Sequence, residues 1–225
     1  MKTSTLLAAT AVIALTSGTA MAAQPMAASP TIVHRVPPVL GSGVLYNQNS
    51  NFGYGIDSQN FSSTYSKTYD AAGADDFLVP AGKTWKVKGV DATGVYYNGS
   101  GPATSENVTF YSDAKGVPGK VKVALTNLSC TDTAGSFSCK TTGVTLKGGK
   151  KGKRYWVSVV ANCNFSGCGQ WGWVENKTIQ NDPAQWENPG GGFGTSCTTW
   201  GMNATCLGSS IYSGDYAFDL KGKSN

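Results

Sequence analysis

Apolar and polar residues alternate in short bursts along most of the chain after Tyr69. In Lys83-Thr84-Trp85-Lys86-Val87-Lys88, Trp85 and Val87 fall on one side and the lysines on the other, the period of a half-buried strand. The phase breaks at Gly89-Val90, which predicts a β-bulge. Val108 and Phe110 share one face of a strand over 106–112. Gly116-Val117-Pro118-Gly119 reads as a turn, beyond which Val121, Val123 and Leu125 resume the alternation. Val144 and Leu146 lead into Gly148-Gly149, residues 155–160 are apolar on both faces, and Tyr216, Phe218 and Leu220 alternate once more. No stretch carries a sustained helical period. Short strands separated by turn residues predict an all-β fold, an antiparallel β-sandwich.

Residues 23–60 are poor in pattern. Pro25, Pro30, Pro37 and Pro38 and the polar run Asn47-Gln48-Asn49-Ser50-Asn51 predict an extended N-terminal arm with one strand at 43–46, leaving 61–225 as the sandwich domain. Composition agrees. The chain of 225 residues has 29 Gly, and only 14% of it is charged, against roughly 25% in an ordinary domain. Glu106, Glu175 and Glu187 are the only glutamates, which argues against a helical bundle.

Residues 1–22 have the form of a secretory signal peptide of bacterial type: Lys2, an apolar stretch from Leu6 to Leu15, and Ala20-Met21-Ala22 as the cleavage pattern. The apolar stretch is too short to span a bilayer, which takes roughly 20 residues, and no later run predicts a membrane span. The expected location is outside the cytoplasm, extracellular or periplasmic. Without Lys2 the chain holds 17 basic against 13 acidic residues. That is a mild excess, and with the compartment it argues against a nucleic-acid partner. Six cysteines suit an oxidising space. They fall as Cys130/Cys139, Cys163/Cys168 and Cys197/Cys206. Sequence leaves 15 connectivities open, and the turn residues enclosed by each close pair favour neighbour pairing.

Several segments in succession resemble a secreted bacterial β-sandwich domain: residues 74–85 (Ala-Asp-Asp-Phe-Leu-Val-Pro-Ala-Gly-Lys-Thr-Trp), Gly94-Val95-Tyr96, Gly101-Pro102-Ala103, residues 107–113 (Asn-Val-Thr-Phe-Tyr-Ser-Asp), Gly116-Val117-Pro118-Gly119, residues 186–194 (Trp-Glu-Asn-Pro-Gly-Gly-Gly-Phe-Gly) and residues 215–220 (Asp-Tyr-Ala-Phe-Asp-Leu). The resemblance spans about residues 70–222. That domain recurs in exported proteins, sometimes beside secreted peptidases or surface-anchoring signals. The resemblance implies a jelly-roll-like sandwich in an extracellular setting, and it carries over no catalytic residue.

The residues themselves offer little chemistry. His34 is the single histidine, so it is the only candidate base for a triad, in a stretch read as an arm, and the same count excludes a His-rich metal site. Asp75 and Asp76 are adjacent, so on a strand they point to opposite faces and make a poor acid/base pair. They are weak calcium candidates, since no Asp-x-Asp-x-Asp loop accompanies them. Glu175, Glu187, Asp182 and Asp219 are the carboxylates that a glycoside hydrolase would have to bring together. Gly190-Gly191-Gly192-Phe193-Gly194 lacks the Lys-Ser/Thr of a phosphate loop. The run Lys147–Arg154 reads as a solvated hairpin turn, with an anionic polymer as its rival partner. Trp171, Trp173, Trp186 and Trp200 are the candidate ligand-binding residues, because aromatic faces stack on sugars. No cofactor is expected. The reading is a secreted binding module for polysaccharide or another surface component, without catalysis of its own. A structural or protein-interaction role and a carboxylate-dependent glycoside hydrolase are the alternatives.

Overall fold

The computed structural model describes residues 24–35, 42–208 and 212–225; the signal-peptide segment 1–22 lies outside them. Strands follow one another from near the start: β1 (Ala28–Ile32), β2 (Val44–Gln48), β3 (Phe52–Asp57), β4 (Gln59–Phe61), β5 (Ala72–Val79), β6 (Thr84–Ala92), β7 (Gly94–Tyr97), β8 (Ser105–Asp113) and β9 (Pro118–Leu128). The order continues with β10 (Thr131–Thr133), β11 (Ser136–Lys147), β12 (Lys153–Cys163), β13 (Gln170–Asn176), β14 (Gln185–Glu187), β15 (Gly201–Met202), β16 (Asp215–Tyr216) and β17 (Phe218–Ser224). Two short helices, α1 (Phe165–Cys168) and α2 (Asn203–Leu207), interrupt the series. The fold is all-β and sandwich-like.

One layer is the sheet β15-β14-β5-β12-β8-β9, with β4 lying parallel beside β12. The other is bent. Its halves are β10-β11-β6-β17-β2 and β1-β3-β13-β16, with β7 also on β13. The chain passes from one half to the other at β2 to β3, β6 to β7 and β16 to β17. Backbone bonds from Thr93 to Ala217 (3.0 Å) and from Val174 to Thr93 (2.9 Å) stitch the bend. The core fills the space between the layers, with Phe77, Val157 and Phe110 from one side and Trp85, Val90, Leu146 and Leu220 from the other. The rings of Phe77 and Trp85 stack with centroids 6.0 Å apart.

The alternating segments become strands with the predicted sides inward. Trp85 and Val87 are buried while Lys86 and Lys88 are exposed. The predicted bulge is present: on the β17 side Gly89 pairs with Lys221 and Val87 with Gly222, so that Lys88 stands as the extra residue. The three neighbouring cysteine pairs are disulfides. Closing loops this short stabilises by about 2–3 kcal/mol each.

The stretch expected as an arm is different. Its described residues supply β1 to β4, and Ile56, Asp57 and Gln59 are completely buried. The pattern was weak because this stretch is buried through polar side chains. Gln48 donates to Asp75 and to the Tyr216 carbonyl (2.5 and 2.8 Å), and Gln59 accepts from the Trp171 N–H (2.7 Å). Buried polar groups are tolerated when they are bonded this way, and hydropathy does not register them.

Candidate ligand-binding face

The tryptophans do not form a platform. Trp171, Trp173 and Trp186 have no exposed surface. Trp171 and Trp173 lie on β13 two residues apart, hence on one face as predicted, but that face is the core. Trp171 stacks on Phe137 (4.6 Å) and Trp173 on Tyr216 (4.5 Å). Each indole N–H is satisfied internally: Trp171 by the Gly135 carbonyl (2.7 Å), Trp173 by that of Ala217 (3.0 Å), Trp186 by that of Asp57 (2.8 Å). Trp200 is half-buried, edge-on to Tyr111 at 5.9 Å. Their Gly- and Cys-rich surroundings look like exposed loops in sequence. In space the glycines serve close packing, as where the backbone at Lys67 and Thr68 occupies the place of a side chain at Gly190.

The carboxylates are withdrawn from solvent. Asp57, Asp75, Asp76, Glu106, Glu175, Asp215 and Asp219 are buried, the other six acidic residues are half-buried, and none is exposed. The hydrolase candidates are held by separate elements. Glu175 on β13 accepts from the backbone N–H groups of Tyr54 and Gly214, and burial pushes it up to about 7. Glu187 on β14 is pushed up to about 7 by burial, against the bond it accepts from the Trp200 backbone. Asp219 is bonded to Asn47 and Asn49, and Asp182 is paired with Arg154. Glu106 lies beside Cys130 and Cys139, but those sulfurs form a disulfide and offer no thiolate to a metal.

Asp75 and Asp76 point to opposite faces of β5, as expected. Asp75 turns inward and accepts from Gln48, from the Tyr216 N–H (2.5 Å) and from the Asp76 N–H (2.7 Å). Asp76 turns outward and pairs with Arg154 (2.7 Å). The two do not grasp one ion between them.

The lysines take the opposite course. Fourteen of the fifteen described lysines are exposed, and only Lys221, paired with Asp91, is half-buried. Five of the exposed ones, Lys86, Lys88, Lys140, Lys147 and Lys223, stand on the outer face of the sheet β10-β11-β6-β17-β2, and the others lie on β9, β12 and the connections. Lys86 stands directly opposite Lys223 across the β6–β17 ladder. On the other flank of β6 the ladder opens, because three residues of β11, 141 to 143, face Lys88 alone. The hydroxyl of Thr141 takes over the Val87 carbonyl (3.1 Å). The gap is a shallow trough of about 480 Å³ bordered by Lys86, Lys88, Lys140 and Thr145. Farther along lies a second depression of about 320 Å³, bordered by Arg35, Asn49, Asp91, Thr133 and Ser138. The hairpin end adds Lys83, Lys147 and Lys150, where the Gly82 N–H donates to the Gly149 carbonyl (2.7 Å) and joins two turns.

The sequence shows each of these lysines as an outward position but not as one face. A usable signal was the setting of the acids: Asp75 in Ala-Asp-Asp-Phe, Glu175 in Trp-Val-Glu-Asn and Asp219 in Phe-Asp-Leu all sit among core residues.

The class these features define is an all-β, disulfide-bonded, sandwich-like fold with exposed lysines on one outer face. Three disulfides fit a secreted or periplasmic setting, and no helix among the described residues is long and apolar enough to cross a membrane. No family model, curated protein or solved structure matches the chain.

Proposed function

We propose that the protein is an extracellular or periplasmic binding module for an acidic polysaccharide, and that the lysine face is its binding surface. One observation carries this reading: among the described residues, charge is sorted so that fourteen lysines and no carboxylates are exposed. The balance of 17 basic against 13 acidic residues without Lys2 therefore understates the field that a ligand meets. The Lys86–Lys223 juxtaposition works against folding, since like charges directly opposite on a sheet destabilise it, and a bound polyanion relieves it. The strands set the charges on a grid of about 4.8 Å between strands and about 6.8 Å along each, which suits a repeating polymer better than a single small anion. The compartment favours a uronate or sulfate polymer over nucleic acid. Protein docking has less support: the exposed large apolar side chains Met26, Leu78, Val121, Ile179 and Met202 come from five separate segments.

Calorimetric titration with polygalacturonate, heparin, neutral dextran and duplex DNA tests the reading at low and physiological salt. Binding to the acidic glycans is expected, with affinity falling steeply as salt rises and no response to dextran. Lys86→Glu together with Lys140→Glu should lower glycan affinity at least tenfold. Equal binding of dextran, indifference to both substitutions, or tighter binding of DNA than of either acidic glycan would overturn it.

A further inference from the structure

The depression at the β10 end of the lysine face differs in chemistry from the trough beside it. Its floor holds two buried rings, Phe52 and Phe137. Its rim is made of hydroxyls: β10 and β11 pair Thr131 with Ser138 and Thr133 with Ser136, so the four stand on one face as two facing pairs. The volume of about 320 Å³ falls at the lower end of the roughly 300–1,000 Å³ of small-ligand sites.

Two charged groups border it, and only one is neutralised. Asp91 is paired with Lys221 and accepts from the Ser138 hydroxyl (2.8 Å). Arg35 is half-buried, and no carboxylate among the described residues forms an ion pair with it. Asp132, whose field reaches it, is held by the Tyr96 hydroxyl and the Gly135 N–H (both 2.7 Å). Burial therefore pulls Arg35 below its ordinary range, with only Asp132 in opposition. Arg35 gives one N–H to the Ser136 hydroxyl and one to the Ala134 carbonyl (2.5 Å). A guanidinium has five such donors in one plane, so donors remain for an anion in the depression.

The arrangement selects among anions. The two oxygens of a carboxylate match a planar pair of N–H donors. The third oxygen of a sulfate ester would be left over carbon, where an acceptor without a partner is costly. Hydroxyls on the rim suit a polyol, and an aromatic floor suits the C–H face of a sugar ring. The outward row of β11 runs Ser136, Ser138, Lys140, with about 6.8 Å between successive members, so a chain seated in the depression continues onto the lysines.

We propose that this depression seats one uronic-acid unit, with Arg35 on its carboxylate and the β10–β11 hydroxyls on its hydroxyl groups, and that the acidic polysaccharide is therefore a polyuronate. The inference rests on reading the lysine face as a glycan binder.

The test is an NMR titration of the disulfide-intact protein with galacturonate at physiological salt, with galactose, galactose 6-sulfate and benzoate as controls. Galacturonate should shift the amides of residues 91–93 and 131–138 and bind at least tenfold more tightly than any control. Arg35→Gln should lower its affinity at least tenfold. Thr133→Tyr, at an exposed position, fills the depression from the opposite strand and should do the same while the melting temperature holds. No galacturonate binding, equal binding of any control, or indifference to either substitution would overturn the proposal. Lys86→Glu keeps this test separate from that of the lysine face. Lys86 lies five residues from Asp91 along β6, about 17 Å, well beyond the Debye length of about 8 Å. It should weaken polygalacturonate binding and leave galacturonate unchanged. Polygalacturonate binding that responds to Lys86→Glu but not to Arg35→Gln sinks the uronate seat alone, and the reverse pattern sinks the lysine face alone.

Discussion

The two outer faces of the sandwich are built on the same plan and finished differently. On the β6 sheet most outward positions are lysines, threonines and serines left in water, with the facing pair Asp91 and Asp219 drawn in among them. On the β5–β12 sheet they are Trp156, Ser158 and Asp76, fully withdrawn from water under a roof made by the connections on either side of β14, where Asp182 reaches Arg154 and Trp200 reaches Tyr111. A period of two states which side chains leave the core. It does not state whether they arrive in solvent or under a second layer. The consequence is electrostatic: cations stay where their long stems reach water, and carboxylates go where backbone N–H groups and one arginine receive them.

The sharpest way to break the comparison is to truncate one outward residue on each face. Trp156→Ala should cost about 3–5 kcal/mol, the range for a buried aromatic, whereas Lys86→Ala should stay within about 0.5 kcal/mol. Denaturant unfolding of both proteins reads the difference. A small loss at Trp156 would mean that the roof adds no core.

Withdrawal of the carboxylates is tested by pH. Burial pushes Glu175 from 4.5 up to about 7, so the folded state holds this proton more tightly than the unfolded state does. Its contribution is full below about pH 4.5 and is lost as pH rises toward 7, a change of about 3 kcal/mol at most. Glu175→Gln should melt close to the original at about pH 5 and distinctly higher at about pH 8. Equal melting shifts at both pH values would show that Glu175 does not titrate as a buried acid.

A smaller effect concerns the roof alone. Replacing Cys197 and Cys206 by serine releases its second connection from α2, at a cost of about 2–3 kcal/mol. Hydrogen exchange should rise in residues 185–203 and not along β6.

The smallest change carries a sign that separates stability from function. Lys223→Glu turns the like-charged pair with Lys86 into an attractive one. Stability should rise by about 0.2–1 kcal/mol while affinity for acidic glycan falls. A parallel rise or fall of both would break the assignment of that face.

Local pattern determined a good deal of this molecule. The alternation around Trp85, Val108 and Tyr216 specified strands and their inward sides, because the pleat has a strict period of two. The break at Gly89-Val90 located the bulge, and cysteine spacing favoured the pairs that form. The divergence of Asp75 and Asp76 followed from their adjacency. Tertiary structure decided the rest. Trp171, Trp173 and Trp186 became core because Phe137 of β11 with Gly135 just before it, Tyr216 of β16, and Asp57 of β3 with Phe193 come against them in turn. The stretch through Gln48 and Gln59 joined the sheets through side-chain hydrogen bonds with partners more than a hundred residues away. The basic face arose from a subtraction that composition cannot perform: net charge counts every carboxylate, while a ligand meets only those that folding leaves in water.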